Sequence, residues 1–276
     1  MAGPYVHGYD ERANERLRDQ ARTLVDLLHH DTSYPAGSRV LEAGCGVGAQ
    51  TLTLAERSPE AEIVSVDLSA TSLAEAARRA EAAGVTNVEF MQADIFDQPF
   101  ERASFDHVFV CFLLEHLSSP VTALERLRDL LRPGGTITVI EGDHGSAYFH
   151  PDSEAAHDAI RCQVELQAAA GGDANIGRRV YPLMTEAGLE GVQVSARMVY
   201  VDATRPELVD GFTRKTFTAM IEGTREDALT AGLIEPARFD EGVAALHRAT
   251  EADGVFCYTF FKGVGARGAG AGAVST

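Results

Sequence analysis
Residues Val40–Gln50 read VLEAGCGVGAQ and constrain the fold more than any other stretch. Two apolar residues of strand character, Val40 and Leu41, lead to a carboxylate, Glu42. Glycines stand at 44, 46 and 48, and a helical pattern (TLTLAER) begins at once. A strand that passes through a glycine turn into a helix must bend sharply and let a ligand approach the backbone. The unit predicts a nucleotide-like ligand at the end of the first strand. The loop alone leaves that ligand open. Gly44, Gly46 and Ala49 also satisfy the dinucleotide pattern G-x-G-x-x-G/A, and Asp67 ends the next apolar run, IVSVDLS.

Periodicity extends the pattern in both directions. Helical spacing over 10–30 runs through Leu17, Ala21, Leu24, Val25 and Leu28. Strands are predicted at 39–42, 62–67, 87–93, 105–112 and 136–142. Helices are predicted at 49–57, at 70–83 with Ser69 as N-cap, and at 119–131, where Pro133-Gly134-Gly135 stops the chain. Repeated βα alternation implies an α/β fold, a Rossmann-like doubly wound sheet. After 142 the rhythm loosens. Helices at 152–170 and 176–187, a strand from 192, two or three helices over 205–250 and a final strand complete the chain.

The expected organisation is one domain over 1–264. It comprises an N-terminal helical cap (1–35), a core (36–142), lid insertions at about 143–175 and 203–250, and a last strand at 254–262. The Gly/Ala-rich tail, 265–276, is expected to be disordered.

Charge and cysteines narrow the class. The chain has 276 residues, 45% of them hydrophobic, and a net charge of −17 from 41 acids against 24 bases. That balance argues against nucleic acid as a partner. The four cysteines are far apart and form no C-x-x-C, which suits a reduced cytoplasmic protein. No apolar run approaches membrane-spanning length, so no membrane partner is expected.

Four segments taken together resemble the class I S-adenosylmethionine-dependent methyltransferases. They are VLEAGCGVG, VSVDLS with its strand-end acid, QADIFDQPF, and FDHVFVCFLLEHL followed by LRPGG. The resemblance covers 38–142 and resumes at the last two strands, and it implies a seven-stranded sheet. It also implies S-adenosyl-L-methionine as cofactor, leaving S-adenosyl-L-homocysteine as product. By the same resemblance, Gly44, Cys45 and Gly46 lie against the methionine part, with Glu42 close by. Asp67 accepts the ribose hydroxyls and Asp94 the adenine amino group. Leu68 and Ile95 flank the ring, and Phe112 lines the site. Gln50 is expected to cap the following helix, to reach the cofactor or, equally, to serve a structural role.

The acceptor is less defined. Residues that take part in acceptor chemistry should lie at strand carboxyl ends or on the lid. The candidates are Glu141 and His144 in EGDHG, His116 beside Glu115, and Tyr9 in the N-terminal YVHGYDER, with Gln20 on the first helix. His150, His157, Tyr181 and Tyr200 are weaker candidates for lining the lid. No metal is expected, because LLEHL and EGDHG lack the acid–amide pair of catechol-type relatives and no zinc-like spacing exists. The expected partner is a small molecule of bacterial specialised metabolism, accepting at N, O, S or an activated carbon such as C3 of an indole. A homodimer is compatible with the sequence.

Overall fold
The computed structural model describes residues 23–269. Seven strands form one sheet: β1 (Arg39–Ala43), β2 (Glu62–Asp67), β3 (Val88–Gln92), β4 (Phe105–Cys111), β5 (Leu131–His150), β6 (Glu190–Val201) and β7 (Val255–Ala266). Their order is β3-β2-β1-β4-β5-β7-β6, and β7 alone runs antiparallel to its neighbours. Strand order reverses between β1 and β4, so a crevice opens at their carboxyl ends, where open α/β sheets bind ligands.

Strand residues alternate between two cores. Val40, Ile63, Phe109 and Ile140 face one side; Leu41, Val64, Val108, Val110 and Val139 face the other. The second side is covered by α4 (Pro120–Leu130) and α6 (Val180–Glu186). The first is covered by the helical residues 23–29 (α1), α2 (Thr51–Arg57), α5 (Glu154–Ala169) and the helices between β6 and β7. A further helix, α3 (Ala70–Ala82), starts at Ser69, whose hydroxyl accepts from the Ser72 N–H as an N-cap does.

The segment after β6 is one continuous helical body, α7 (Pro206–Leu208), a π-helix (Val209–Thr218) and α8 (Ala219–Gly223), followed by α9 (Arg225–Thr230) and α10 (Pro236–Arg248). A π-helix bonds residues five apart, so Phe212 and Phe217 share a face. Both pack on the last strand, with Phe217 4.8 Å from Phe256 and Phe212 5.8 Å from Tyr258, measured between ring centres.

Two strand ends differ from the sequence reading. β5 does not stop at 142 but continues to His150, across a register shift between Asp143 and Tyr148. GDHG reads as a turn, yet β7 resumes pairing beyond it through Tyr148↔Cys257 and Phe149↔Phe256. The last strand likewise reaches Ala266 instead of 262. Gly265 and Ala266 pair with Ile137 and Thr136, and Arg267 exchanges backbone hydrogen bonds with Gly134 and Gly135. The first residues of the expected tail are therefore ordered.

Candidate active site
The glycine loop turns its donors inward. The N–H groups of Gly44 and Cys45 both donate to Val66 O (2.8 and 2.9 Å), and that of Gly48 to Cys45 O (2.9 Å). The Gly46 N–H donates to Asp67 Oδ2 at 2.8 Å. Gly44 has φ +74°, and a Cβ there would lie 2.7 Å from the Leu113 side chain, so only glycine fits. Gly46 has φ +52° and an open face where a Cβ would meet nothing within 4 Å.

Beneath the loop, Glu42 is buried and accepts from the hydroxyls of Thr51 and Ser65, both at 2.6 Å. It ties α2 to β2. Burial pushes its carboxyl up to about 7, with the negative charge of Asp67 adding to the shift. Cys45 is buried too, and burial raises its thiol, so it packs as a small apolar residue.

The other cofactor-side residues line the same edge. Asp67 Oδ1 accepts from the Ser69 N–H at 2.8 Å, so two backbone groups fix the carboxylate while lone pairs remain for a ligand. Leu68 is 56% exposed, an unusual state for a large apolar side chain at a strand end. Asp94 is exposed, and its Oδ1 caps its own turn by accepting from the Phe96 N–H (2.9 Å). Ile95 is buried beside it. Phe112 takes φ +55°, a costly value for an aromatic residue, and its ring centre lies 5.6 Å from that of Phe260. Of the roles expected for Gln50, the structural one fits its contacts. Its side chain makes no cap, and its Oε1 accepts from buried His29 Nε2 at 2.8 Å.

These contacts discriminate between ligands. A pyrophosphate needs free N–H donors at the loop. Here the N–H groups of Gly44, Cys45, Gly46 and Gly48 are already bonded within the protein, and the Asp67 carboxylate accepts from one of them. That donor set suits the ammonium, sulfonium and ribose diol of the expected cofactor and repels a dinucleotide's phosphates.

On the acceptor side the expected residues divide. Glu141 is fully buried, and its Oε1 accepts from the backbone N–H groups of Leu113 (3.1 Å) and Leu114 (2.8 Å). It holds the turn Leu114–His116 after β4. Burial, reinforced by Glu115, raises its carboxyl well above the usual range. His116 is pushed down to about 3 by burial and by His144, which makes it a feeble base. Glu115 accepts from the Gln167 amide at 3.1 Å. Tyr9 and Gln20 lie outside the described residues.

His144 is placed differently. The irregular segment of β5 is braced by Asp143, which takes Arg178 in a two-pronged pair (both 2.7 Å), and by Asn175 Oδ1, which accepts from the Gly145 N–H at 2.7 Å. Ser146 Oγ donates to Asp143 O (2.6 Å) and accepts from the Thr259 N–H (2.9 Å). Such bulges re-aim a side chain. The His144 ring lies 3.0 Å through Nδ1 from Ala174 O and 3.2 Å from Tyr258 Oη, with Nε2 3.3 Å from Met220 Sδ. Phe217 stands alongside, 6.1 Å between ring centres.

The sequence reading missed Tyr258, Met220, Phe217, Arg178 and Lys262. The alternation of Phe256, Tyr258 and Phe260 in the last strand was the available signal for the aromatic wall. Lys262 has no such signal. It is 3% exposed and donates to Leu28 O (3.3 Å), Asp31 (2.6 Å) and Thr32 (2.6 Å), pinning the end of α1 to β7. His150 is exposed, as are Tyr181 and Tyr200, and His157 pairs with Asp152 at the surface. Among the described residues no cluster of three His, Cys, Asp or Glu side chains is placed to hold a metal, no helix is long and apolar enough to cross a membrane, and all four cysteines are free.

Comparison with known proteins agrees with this geometry. Residues 40–135 match a family model described as a methyltransferase domain. A demethylmenaquinone methyltransferase of Thermus thermophilus is 39% identical over 120 residues, 44% of this chain and 52% of that protein. The 27-O-demethylrifamycin SV methyltransferase of Amycolatopsis mediterranei is 28% identical over 85% of this chain and 80% of its own length. Against three of the curated relatives the match spans only 28% to 59% of their length. The phosphoethanolamine N-methyltransferase 2 of Haemonchus contortus, solved with phosphomonomethylethanolamine and S-adenosylhomocysteine, shares the fold at TM-score 0.55 and 18% identity. That match covers 91% of this chain and 53% of the other.

Proposed function
Because the chain belongs to the class I S-adenosylmethionine-dependent methyltransferases, we propose that it transfers a methyl group to a small molecule of bacterial specialised metabolism. The observation that carries this reading is the loop itself: the N–H groups of Gly44, Cys45, Gly46 and Gly48 are bonded within the protein and the Asp67 carboxylate lies against it. The family's cofactor supplies an electrophilic methyl on sulfonium sulfur. The main chain around Gly44, Cys45 and Gly46 lies against the methionine part, with Glu42 below. Asp67 receives the ribose hydroxyls. Asp94 receives the adenine amino group, Leu68 and Ile95 flank the ring, and Phe112 closes the inner side.

Transfer is an in-line displacement, so the protein's task is to align the acceptor, exclude water and take a proton where one is lost. Among the described members of the polar set expected from sequence, we assign proton removal to His144. Glu141 holds the turn after β4, and His116 is too weak a base. Helix α5 and the helices over 206–248 act as the lid. The rifamycin relative supports a natural-product acceptor. Acceptance at an activated carbon, such as C3 of an indole, is the alternative.

Incubation with methyl-labelled S-adenosylmethionine and a low-molecular-weight metabolite extract tests the reading. Label should enter a small molecule, and Asp67→Ala should lower transfer at limiting cofactor. Label entering protein or nucleic acid instead would overturn it.

A further inference from the structure
Resting on that reading, we infer that the acceptor is recognised through an amino group, whose N–H donors and positive charge are met by two buried oxygens, Glu141 Oε2 and Gln163 Oε1. Both residues are 0% exposed, and neither atom has a hydrogen-bond partner among the described residues. Polar atoms buried in folded proteins are paired with protein, water or ligand, and an orphaned one is costly.

The direction of the neighbouring bonds makes Gln163 Oε1 an acceptor. Gln167 Nε2 donates to Glu115 O at 3.0 Å and to Glu115 Oε2 at 3.1 Å. A carbonyl oxygen can only accept, so the Gln167 amide is fixed with its nitrogen toward Glu115. Its oxygen then accepts from Gln163 Nε2 at 3.0 Å. The Gln163 amide is oriented in turn, and the atom left over is its oxygen. At the other end, Glu141 spends Oε1 on the N–H groups of Leu113 and Leu114, which leaves Oε2. Glu115 joins the two ends, since it accepts from Gln167 and its charge also acts on Glu141. The chain Glu141, Glu115, Gln167, Gln163 thus links the carboxyl ends of β4 and β5 to α5, part of the lid assigned above, and a ligand enters as that lid parts.

Charge favours an ammonium over a neutral donor. Burial and the negative charge of Glu115 both work against ionisation of Glu141. The groups around it do not supply a cation. Burial raises the Cys111 thiol and the Tyr258 phenol, with Glu141 and Glu115 adding to both shifts, and pushes His116 down to about 3. Arg178 gives both prongs to Asp143. Lys262, one position along β7 from the strand partner of Glu141, donates to Leu28 O, Asp31 and Thr32. An ammonium brings Oε2 a donor and a positive charge together, and it has further N–H groups to offer Gln163 Oε1. A hydroxyl brings one donor and no charge.

The test reads binding, not turnover. Protein saturated with S-adenosylhomocysteine is titrated at pH 8 and constant ionic strength with methylammonium, with tetramethylammonium (charge without N–H) and with methanol (a donor without charge). Calorimetry measures affinity, and the carbon-13 carboxyl resonance of Glu141, assigned by its absence from Glu141→Gln, locates the site. Methylammonium should bind saturably and move that resonance, and the other two probes should not. Glu141→Gln keeps an oxygen for Leu113 and Leu114 but loses the carboxylate; methylammonium should bind it at least about tenfold more weakly. Gln163→Met, which lies away from the turn, should cost about threefold to tenfold. Both variants should keep S-adenosylhomocysteine affinity. Methylammonium affinity unchanged in Glu141→Gln, equal binding of tetramethylammonium or methanol, or no saturable methylammonium binding to the loaded protein would overturn the amine assignment alone. Failure of S-adenosylhomocysteine itself to bind would overturn the underlying reading as well.

Discussion

Replacing Glu42 with glutamine should stabilise the protein at alkaline pH and leave it nearly unchanged in acid. Glu42 is 2% exposed, and its carboxyl rises from 4.5 to about 7, chiefly through burial. A folded-state pKa above the unfolded one means that the folded chain holds its proton longer. The stability contributed by the neutral form is fully present below about pH 4.5 and is lost as pH rises through about 7. The shift of about 2.5 units corresponds to roughly 3 kcal/mol over that window. A glutamine oxygen can still accept from Thr51 and Ser65 but has nothing to ionise. Urea unfolding followed by circular dichroism, at pH 5 and pH 8.5, gives the difference between variant and wild type at each pH. That difference should move in favour of Glu42→Gln by about 2–3 kcal/mol from the lower to the higher pH. The same difference at both values would refute the claim that burial holds this carboxyl neutral.

Other outcomes follow from the same geometry. Asp67→Ala removes the acceptor for the Gly46 and Ser69 N–H groups as well as the proposed ribose contact, so S-adenosylhomocysteine affinity measured by calorimetry should fall by about tenfold to a hundredfold. Gly44→Ala meets both a positive φ and the Leu113 side chain, and thermal unfolding should show a loss of about 1–3 kcal/mol together with weaker cofactor binding. Arg178→Ala strips the partner from buried Asp143; Arg178 is itself half exposed, so the cost in urea unfolding should be about 1–3 kcal/mol, discounted from that of a fully buried pair. Lys262→Met breaks three hydrogen bonds at the end of α1, and hydrogen exchange at residues 28–32 should rise selectively.

The sheet was legible because its signals are local. Apolar runs bounded by Gly44, Ser69, Gly84 and Pro133 mark β1 to β4 and their helices within a residue or two. β5 was read short because GDHG is turn chemistry locally, while the pairing that continues the strand comes from β7, more than a hundred residues away. Gly265 and Ala266 misled for the same reason, since low-complexity sequence does not reveal an antiparallel partner. In the site, Asp67, Leu68 and Asp94 are proposed from their places at or just after strand ends. The surroundings of His144 could not be read in that way. Ala174, Met220 and Tyr258 reach it from three separate parts of the chain. The roles of Glu141 and Gln50 depended on which neighbours the fold turned toward them.

The central claim is that this loop is built for a cationic, phosphate-free cofactor. Calorimetric titration of the same protein with S-adenosylmethionine, S-adenosylhomocysteine and NAD tests it most directly. The account predicts saturable binding of the first two, weakened in Asp67→Ala, and no heat from NAD beyond dilution. Saturable NAD binding with none for S-adenosylmethionine would contradict it.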